Sequence, residues 1–229
     1  MDLLRNIDIG TIAIQFAVLL FSLSIHEASH AWMADRLGDS TARYLGRVTL
    51  NPLPHIDPIG TILLPLMMLL YPNGLAHRIM IGWAKPVPIQ STNLRNPRRD
   101  HILISVVGPA SNLLAAIVSF GILCVVNPFS TEVQALAGRA SILTPIVMIV
   151  ISLMRINLVL AVFNLLPIPP LDGHWILYEI LPRSAESILA RATPFGFIII
   201  IGLMYFGVFN IILSPIVGLF VGILVRIAR

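Results

Sequence analysis

Apolar and polar positions fall into long blocks along this chain instead of alternating at a period of two. Four apolar runs, Ile9–Met33, Ile102–Val126, Ile142–Leu166 and Phe195–Val225, each exceed the roughly 20 residues a helix needs to cross about 30 Å of hydrocarbon. The last is too long for one straight span, and Pro215 is expected to kink it or split it into a tight helical hairpin. A fifth run, Ile59–Tyr71, has 13 residues and holds Pro65, which suits a short or re-entrant helix. In "GWAKPVPIQ" (residues 82–90) prolines recur at 86 and 88, and this stretch is expected to form a short membrane-associated β-hairpin. The pattern predicts an all-α polytopic membrane protein with about four to six transmembrane helices, a re-entrant segment and that hairpin. No repeat or low-complexity linker interrupts it, so residues 1–229 read as one membrane-embedded domain with a core at 9–175 and C-terminal helices at 176–229.

Composition sharpens the picture. Hydrophobic residues make up 57% of the 229 and charged residues 11%, less than half the roughly 25% usual in soluble domains. Mean hydropathy is +0.89. The formal charge of +4 is modest, and the basic residues read as topology signals and lipid-headgroup contacts, not as a nucleic-acid surface. Cys124 stands alone in an apolar run, so it reads as a buried inert thiol and there is no disulfide framework. Asp2 and Asp8 against Arg5 make a poor signal-peptide start, so Ile9–Met33 is expected to be a retained span. Arg36, Arg43 and Arg47 precede the short apolar run, and Arg78, Lys85, Arg95, Arg98 and Arg99 follow it, whereas 127–140 holds only Arg139. The positive-inside rule places both basic blocks in the cytoplasm, so the first span runs inward, the second outward and the third inward.

At the inner end of the first run stands "HEASH", His26-Glu27-x-x-His30. Four helical residues turn about 400°, so the two imidazoles share a face about 6 Å apart, as two ligands of one zinc ion must. Glu27 beside them is placed to hold and deprotonate a water at the ion. His26 lies 17 residues beyond Ile9, about 25 Å along a helix and still within the hydrocarbon, where ionisable side chains are functional candidates by default.

Zinc takes a third protein ligand and keeps an open position. The other long spans hold no acid, and the nearest is Asp172 in "FNLLPIPPLDGHW", directly after the third span. Prolines 167, 169 and 170 end that helix, and Gly173 permits close backbone approach. The topology returns this segment to the membrane face of His26. His174 is the rival ligand, though as a near neighbour of Asp172 it is expected to point to the interface.

In order, "HEASH", "NPLPHIDPIGTILLP", "GWAKPVPI", "VGPASN" and "FNLLPIPPLDG" resemble the site-2 protease family of intramembrane zinc metalloproteases, in a short prokaryotic form. The resemblance covers Ser22–Gly173. It implies one Zn²⁺ per chain held by His26, His30 and Asp172, with Glu27 as general base and acid. It further implies a transmembrane protein substrate, often a membrane-tethered regulator, in the bilayer of a prokaryotic cell; the inward run of the first span, from the basic residues, puts the active site nearer the cytoplasmic face. Asn164 matches a polar position of the family that could hydrogen-bond the scissile carbonyl or orient the peptide. The chain has no room for the PDZ or CBS domains of larger members.

A helical substrate must be unwound before hydrolysis, and Lys85, Pro86 and Val87 are expected to hold it by strand addition along an edge whose prolines remove N–H donors from one side. Ser22 and Ser24 are candidates for a polar water route. Asn112, in "GPASN", reads first as a packing and hydrogen-bonding residue and second as a substrate contact. His55 and Asp57 read as caps of the short helix. Arg155, mid-span, would face a water-filled cavity, pair with an acid, or mark a displaced span. Two other classes fit parts of the pattern: a membrane metal-ion transporter, and an inactive homologue that binds substrate. Against the first, the candidate ligands cluster near one face; against the second, all four residues of the expected centre are present.

Overall fold

A computed structural model of the chain describes residues 9–69, 82–126, 143–182, 184, 189, 191 and 193–227. Three long helices form the framework: α1 (Ile9–Arg36), α4 (Pro97–Val126) and α5 (Leu143–Asn164). Among the described residues these are the helices long and apolar enough to cross a membrane. Between α1 and α4 come a four-residue α2 (Thr41–Tyr44), a π-helical turn (Pro58–Leu63) and α3 (Leu64–Leu69). After α5 follow α6 (Asp172–Ile180), α7 (Gly196–Tyr205) and α8 (Val208–Ile227).

The ends of the elements have local causes. The α1 helix stops at Gly38, whose φ of 117° is open to glycine; Asp39 N–H then reaches Ala34 O at 2.9 Å and Gly38 N–H reaches Asp35 O, a Schellman closure. Proline at the first position opens α4, with the Asp100 carboxylate reaching back to Asn96 N–H at 2.7 Å. The π-turn begins where the Asp57 carboxylate accepts from Ile59 and Gly60 N–H, the capping role expected of it. The last apolar run is indeed split, but at Gly207, with φ 71°, and not at Pro215, which sits inside α8. A membrane helix tolerates an internal proline, whereas a left-handed residue ends it.

Two expectations are corrected or narrowed. Among the described residues there is no strand, so the hairpin is not found: residues 82–90 are irregular backbone, and part of any partner arm lies outside the described residues. The short apolar run is helical over Pro58–Leu69, and residues 70–71 also lie outside them.

The packing runs α1 and α5 parallel with α4 antiparallel between them. Val18, Leu19 and Leu23 of α1 meet Ile156 and Leu160 of α5, and Leu123 near the end of α4 meets Met154 nearer the start of α5. Apolar side chains face outward along α4, as in Leu114, Val118 and Val125, while the centre holds buried Ser22, His26, His30, Asn112 and Asn157. That inverts a soluble core and suits a lipid exterior. Arg155 is on the exposed side of α5.

Outside the spans, fully buried Asp39 fastens the loop before α4 to the end of α1. Its carboxylate accepts from Thr41 N–H and Oγ1, Gln90 N–H at 2.6 Å and Asn93 Nδ2 at 3.0 Å. Burial raises its pKa, but the hydrogen bonds from Thr41, Asn93 and Gln90 outweigh burial and hold it below the usual carboxylate range. A depressed folded pKa stabilises above the unfolded value of about 3.9 and loses that stabilisation as pH falls through the folded one. Asp39→Asn is therefore expected to cost about 2–3 kcal/mol at pH 7 in detergent. The gap in melting temperature from wild type should close as pH falls below 4, and a gap independent of pH would refute the charge's role.

Candidate active site

Late in α1, the HEASH face turns inward against α4. His26 Nε2 and His30 Nε2 lie 3.0 Å apart, and Asp172 Oδ2 lies 3.0 Å from the first and 3.3 Å from the second. Both histidines are buried, and Asp172 Oδ2 accepts no hydrogen bond. Donor atoms each about 2.0–2.2 Å from a tetrahedral zinc are about 3.3 Å apart. Three lone pairs thus converge on one point in a triangle of the size a zinc ion requires. Among the described residues this is the one cluster of three His, Cys, Asp or Glu side chains able to hold a metal.

Two glycines make the triangle sterically possible. A Cβ on Gly108 of α4 would stand 2.3 Å from His30 Nε2 and 2.8 Å from His26 Cε1, so the helix passes where only glycine fits. A Cβ on Gly173 would stand 2.3 Å from Leu165 O, so α6 starts tightly against the end of α5 and brings Asp172 to the histidines. The opposite ring nitrogens are also held: His30 Nδ1 donates to Ile104 O at 2.6 Å, and His26 Nδ1 to Asn112 Oδ1 at 2.6 Å.

A cavity of about 430 Å³ opens beside the triangle, within the usual range for ligand sites. His26, Glu27, His30, Pro86, Val87, Asn164 and Asp172 all line it, which brings together most of the expected site. Glu27 Oε2 accepts from Val87 N–H at 3.2 Å, and Asn164 Nδ2 donates to Leu160 O at 3.0 Å.

The other candidates fall elsewhere. Lys85 is exposed, and its backbone is engaged inward, N–H to His55 O at 2.8 Å and O to Arg47. Asn112 is fully buried behind His26 and does not reach the cavity, so its packing and hydrogen-bonding reading is the one that fits. Ser22 and Ser24 are fully buried and do not line the cavity either; Ser22 Oγ accepts from Asn157 and Ser24 donates to Leu20 O. Lying on the far side of the Asp172 turn, His174 packs against Trp175 and Tyr178; burial lowers its pKa. The strand-addition expectation also fails as drawn. Trp83, Lys85 and Val87 N–H bond to Gly60, His55 and Glu27, so the side left open to pairing is spent on the protein itself.

Sequence reasoning missed three groups. Arg47 is buried, attracts Glu27 electrostatically and donates to Pro54, Lys85 and Pro86 carbonyls, the last at 3.0 Å. His101 lines the cavity and donates to Glu179 at 2.8 Å. Asn157 joins Asn112 at the centre. A polar residue inside a hydrophobic run was the available signal for Asn157; Arg47 and His101 lie in polar stretches that carry none.

Gly108→Ala is expected to push the imidazoles off the triangle and weaken zinc binding by about 100-fold, the upper end for groups behind metal ligands. Elemental analysis after dialysis against a chelator measures this, and wild-type zinc content in the variant would contradict the close packing.

The comparisons with known proteins agree with this geometry. Peptidase family M50 matches residues 14–207. The Bacillus subtilis protein named "Putative zinc metalloprotease YwhC" is 36% identical over 197 residues, 86% of this chain and 82% of that protein. The Rip2 proteins of Mycolicibacterium smegmatis and Mycobacterium tuberculosis H37Rv, with the same designation, are 29% and 28% identical over 89% and 84% of this chain and 71% and 66% of their own lengths. No solved structure matches the chain. Zinc is the metal these relatives are named for, and the His26–His30–Asp172 triangle fits it. This chain belongs to peptidase family M50, the site-2 protease family of zinc metalloproteases.

Proposed function

We propose that the chain is an intramembrane endopeptidase that hydrolyses peptide bonds in or near transmembrane segments of membrane-tethered proteins. The observation that carries this reading is a zinc-sized donor triangle sharing one cavity with Glu27 among apolar, span-length helices. His26, His30 and Asp172 would hold the zinc, which when bound would supply a Lewis acid able to polarise a peptide carbonyl and acidify water.

The chain's own residues supply the rest. Val87 N–H holds Glu27 Oε2 at 3.2 Å, which leaves the second carboxylate oxygen to take a proton from the attacking water. Glu27 then passes that proton to the leaving amine, so no covalent intermediate is needed. Asn164, at the cavity wall, uses its Nδ2 on Leu160 O and keeps its amide oxygen available to orient the substrate backbone through an N–H. Pro86 and Val87 border the same space and serve as its substrate-facing wall. A single donor cluster among the described residues favours a resident ion over the relay of sites a transporter would need.

The parallel α1 and α5 are consistent with spans that alternate in direction, and the basic residues before and after the short apolar run point their shared end, with the centre, to the cytoplasmic face of a prokaryotic cell membrane. Cysteines replacing Arg43 and Arg98 are then expected to react with an impermeant thiol reagent from the same, cytoplasmic, side; labelling from opposite sides would overturn it.

Glu27→Gln is expected to retain full zinc content and lose about 10²–10⁴-fold in cleavage of a reconstituted transmembrane substrate. Asp172→Ala should lose zinc. Full cleavage by the first variant refutes the mechanism, and unchanged stoichiometry in the second removes Asp172 from the ligand set.

A further inference from the structure

Behind His26 runs a chain of hydrogen bonds that crosses all three long helices. Asn112 Oδ1 accepts from His26 Nδ1 at 2.6 Å, and Asn112 Nδ2 lies 2.7 Å from Asn157 Oδ1 and 3.2 Å from Ser22 O. Asn157 Nδ2 lies 2.9 Å from Leu153 O and 2.8 Å from Ser22 Oγ. Ser22, Asn112 and Asn157 are fully buried and His26 nearly so.

The direction of this chain is set at its far end. Leu153 O is a carbonyl and can only accept, so Asn157 must turn its NH₂ toward it and its oxygen toward Asn112. Asn112 then faces two acceptors, Asn157 Oδ1 and Ser22 O, and must present its own NH₂ to them. Only its oxygen is left for His26, which must therefore carry its proton on Nδ1. A neutral imidazole with Nδ1–H has a bare Nε2, the atom in the triangle. Two backbone carbonyls that touch neither histidine thus decide which nitrogen of His26 can bind metal. His30 needs no such relay, because Ile104 O accepts from its Nδ1 directly.

We propose that Asn157 is a positioning residue that, together with the Ser22 carbonyl, holds Asn112 in the orientation that fixes the metal-binding tautomer of His26. The inference rests on the reading of His26 as a zinc ligand through Nε2. Its chemistry explains two amides placed inside membrane helices, where each must find a partner for every polar atom.

The test uses the full chain, zinc-loaded, in detergent. Asn157→Leu keeps a similar volume and removes both ends of the amide. Chelator competition is expected to show zinc affinity reduced about 10–100-fold, the range for partners behind a ligand. Nitrogen-15 spectra of labelled histidine, taken on the same samples after chelation, should show His26 passing from a single Nδ1–H form to a mixture. A packing defect alone would lower affinity without changing which ring nitrogen of His26 carries the proton. Unchanged affinity and spectrum in Asn157→Leu, or lowered affinity with His26 still in a single Nδ1–H form, overturns the proposal. So does an Nε2–H form of His26 in the wild-type protein, which decides the matter even where Asn157→Leu does not fold. His26→Ala separates the premises: zinc retained there removes the ligand reading itself. Zinc lost there but bound normally by Asn157→Leu removes the relay alone.

Discussion

Three lone pairs pointing at one another from 3.0–3.3 Å, inside a bundle whose outer face is apolar, make an arrangement that is unfavourable without a cation between them. The helices around them are shaped by that crowding. The α4 helix is glycine where the imidazoles press on it, and α6 is glycine where it turns against α5 to deliver Asp172. Each imidazole also gives its second nitrogen an acceptor, a carbonyl for His30 and an amide for His26. The amide brings in Asn157 and Ser22, and through them the contact of α1, α4 and α5 at mid-bundle. Metal binding and helix packing are therefore one problem here: the groups that orient the ligands also bridge the spans.

What was legible in the sequence follows from how isolated each signal is. His26, Glu27 and His30 stand out because a helix converts their spacing into one face, and Asp172 because the other long apolar runs contain no acid. Span positions were readable from apolar length alone and came out within a few residues for α1, α4 and α5. Signals that depend on three-dimensional contact were less readable. Pro215 was the visible breaker in the last run, but the chain breaks at Gly207, because only the backbone conformation reveals which of the two is used. The sequence marks Asn112 as a packing and hydrogen-bonding residue but not its partner, because the bond to His26 spans 86 positions. The sequence groups Lys85 with its neighbours, yet it is exposed and is not among the residues lining the cavity beside Pro86 and Val87.

The segment 82–90 shows why alternation of prolines was an ambiguous sign. It removes N–H donors at 86 and 88, which fits an edge waiting for a partner and equally a wall that refuses one. Hydrogen-bond accounting selects the wall. The N–H groups of 83, 85 and 87 are bonded to Gly60, His55 and Glu27, and the carbonyls of 83, 85 and 86 accept from Thr61 and Arg47. An incoming strand would meet Ala84 as the one remaining N–H donor between 83 and 88.

That wall is also tied to the chemistry. Arg47, buried and cationic, fastens its middle to the turn at Leu53–His55 and lies close enough to attract Glu27. Asp39 fastens its far end through Gln90 N–H. Between those anchors Val87 N–H holds the Glu27 carboxylate. Displacing Val87 would break this last bond and release Glu27 from its set orientation. Alignment of the Glu27 carboxylate thus depends on a segment held in place by two charged side chains that lie outside the spans, Arg47 and Asp39.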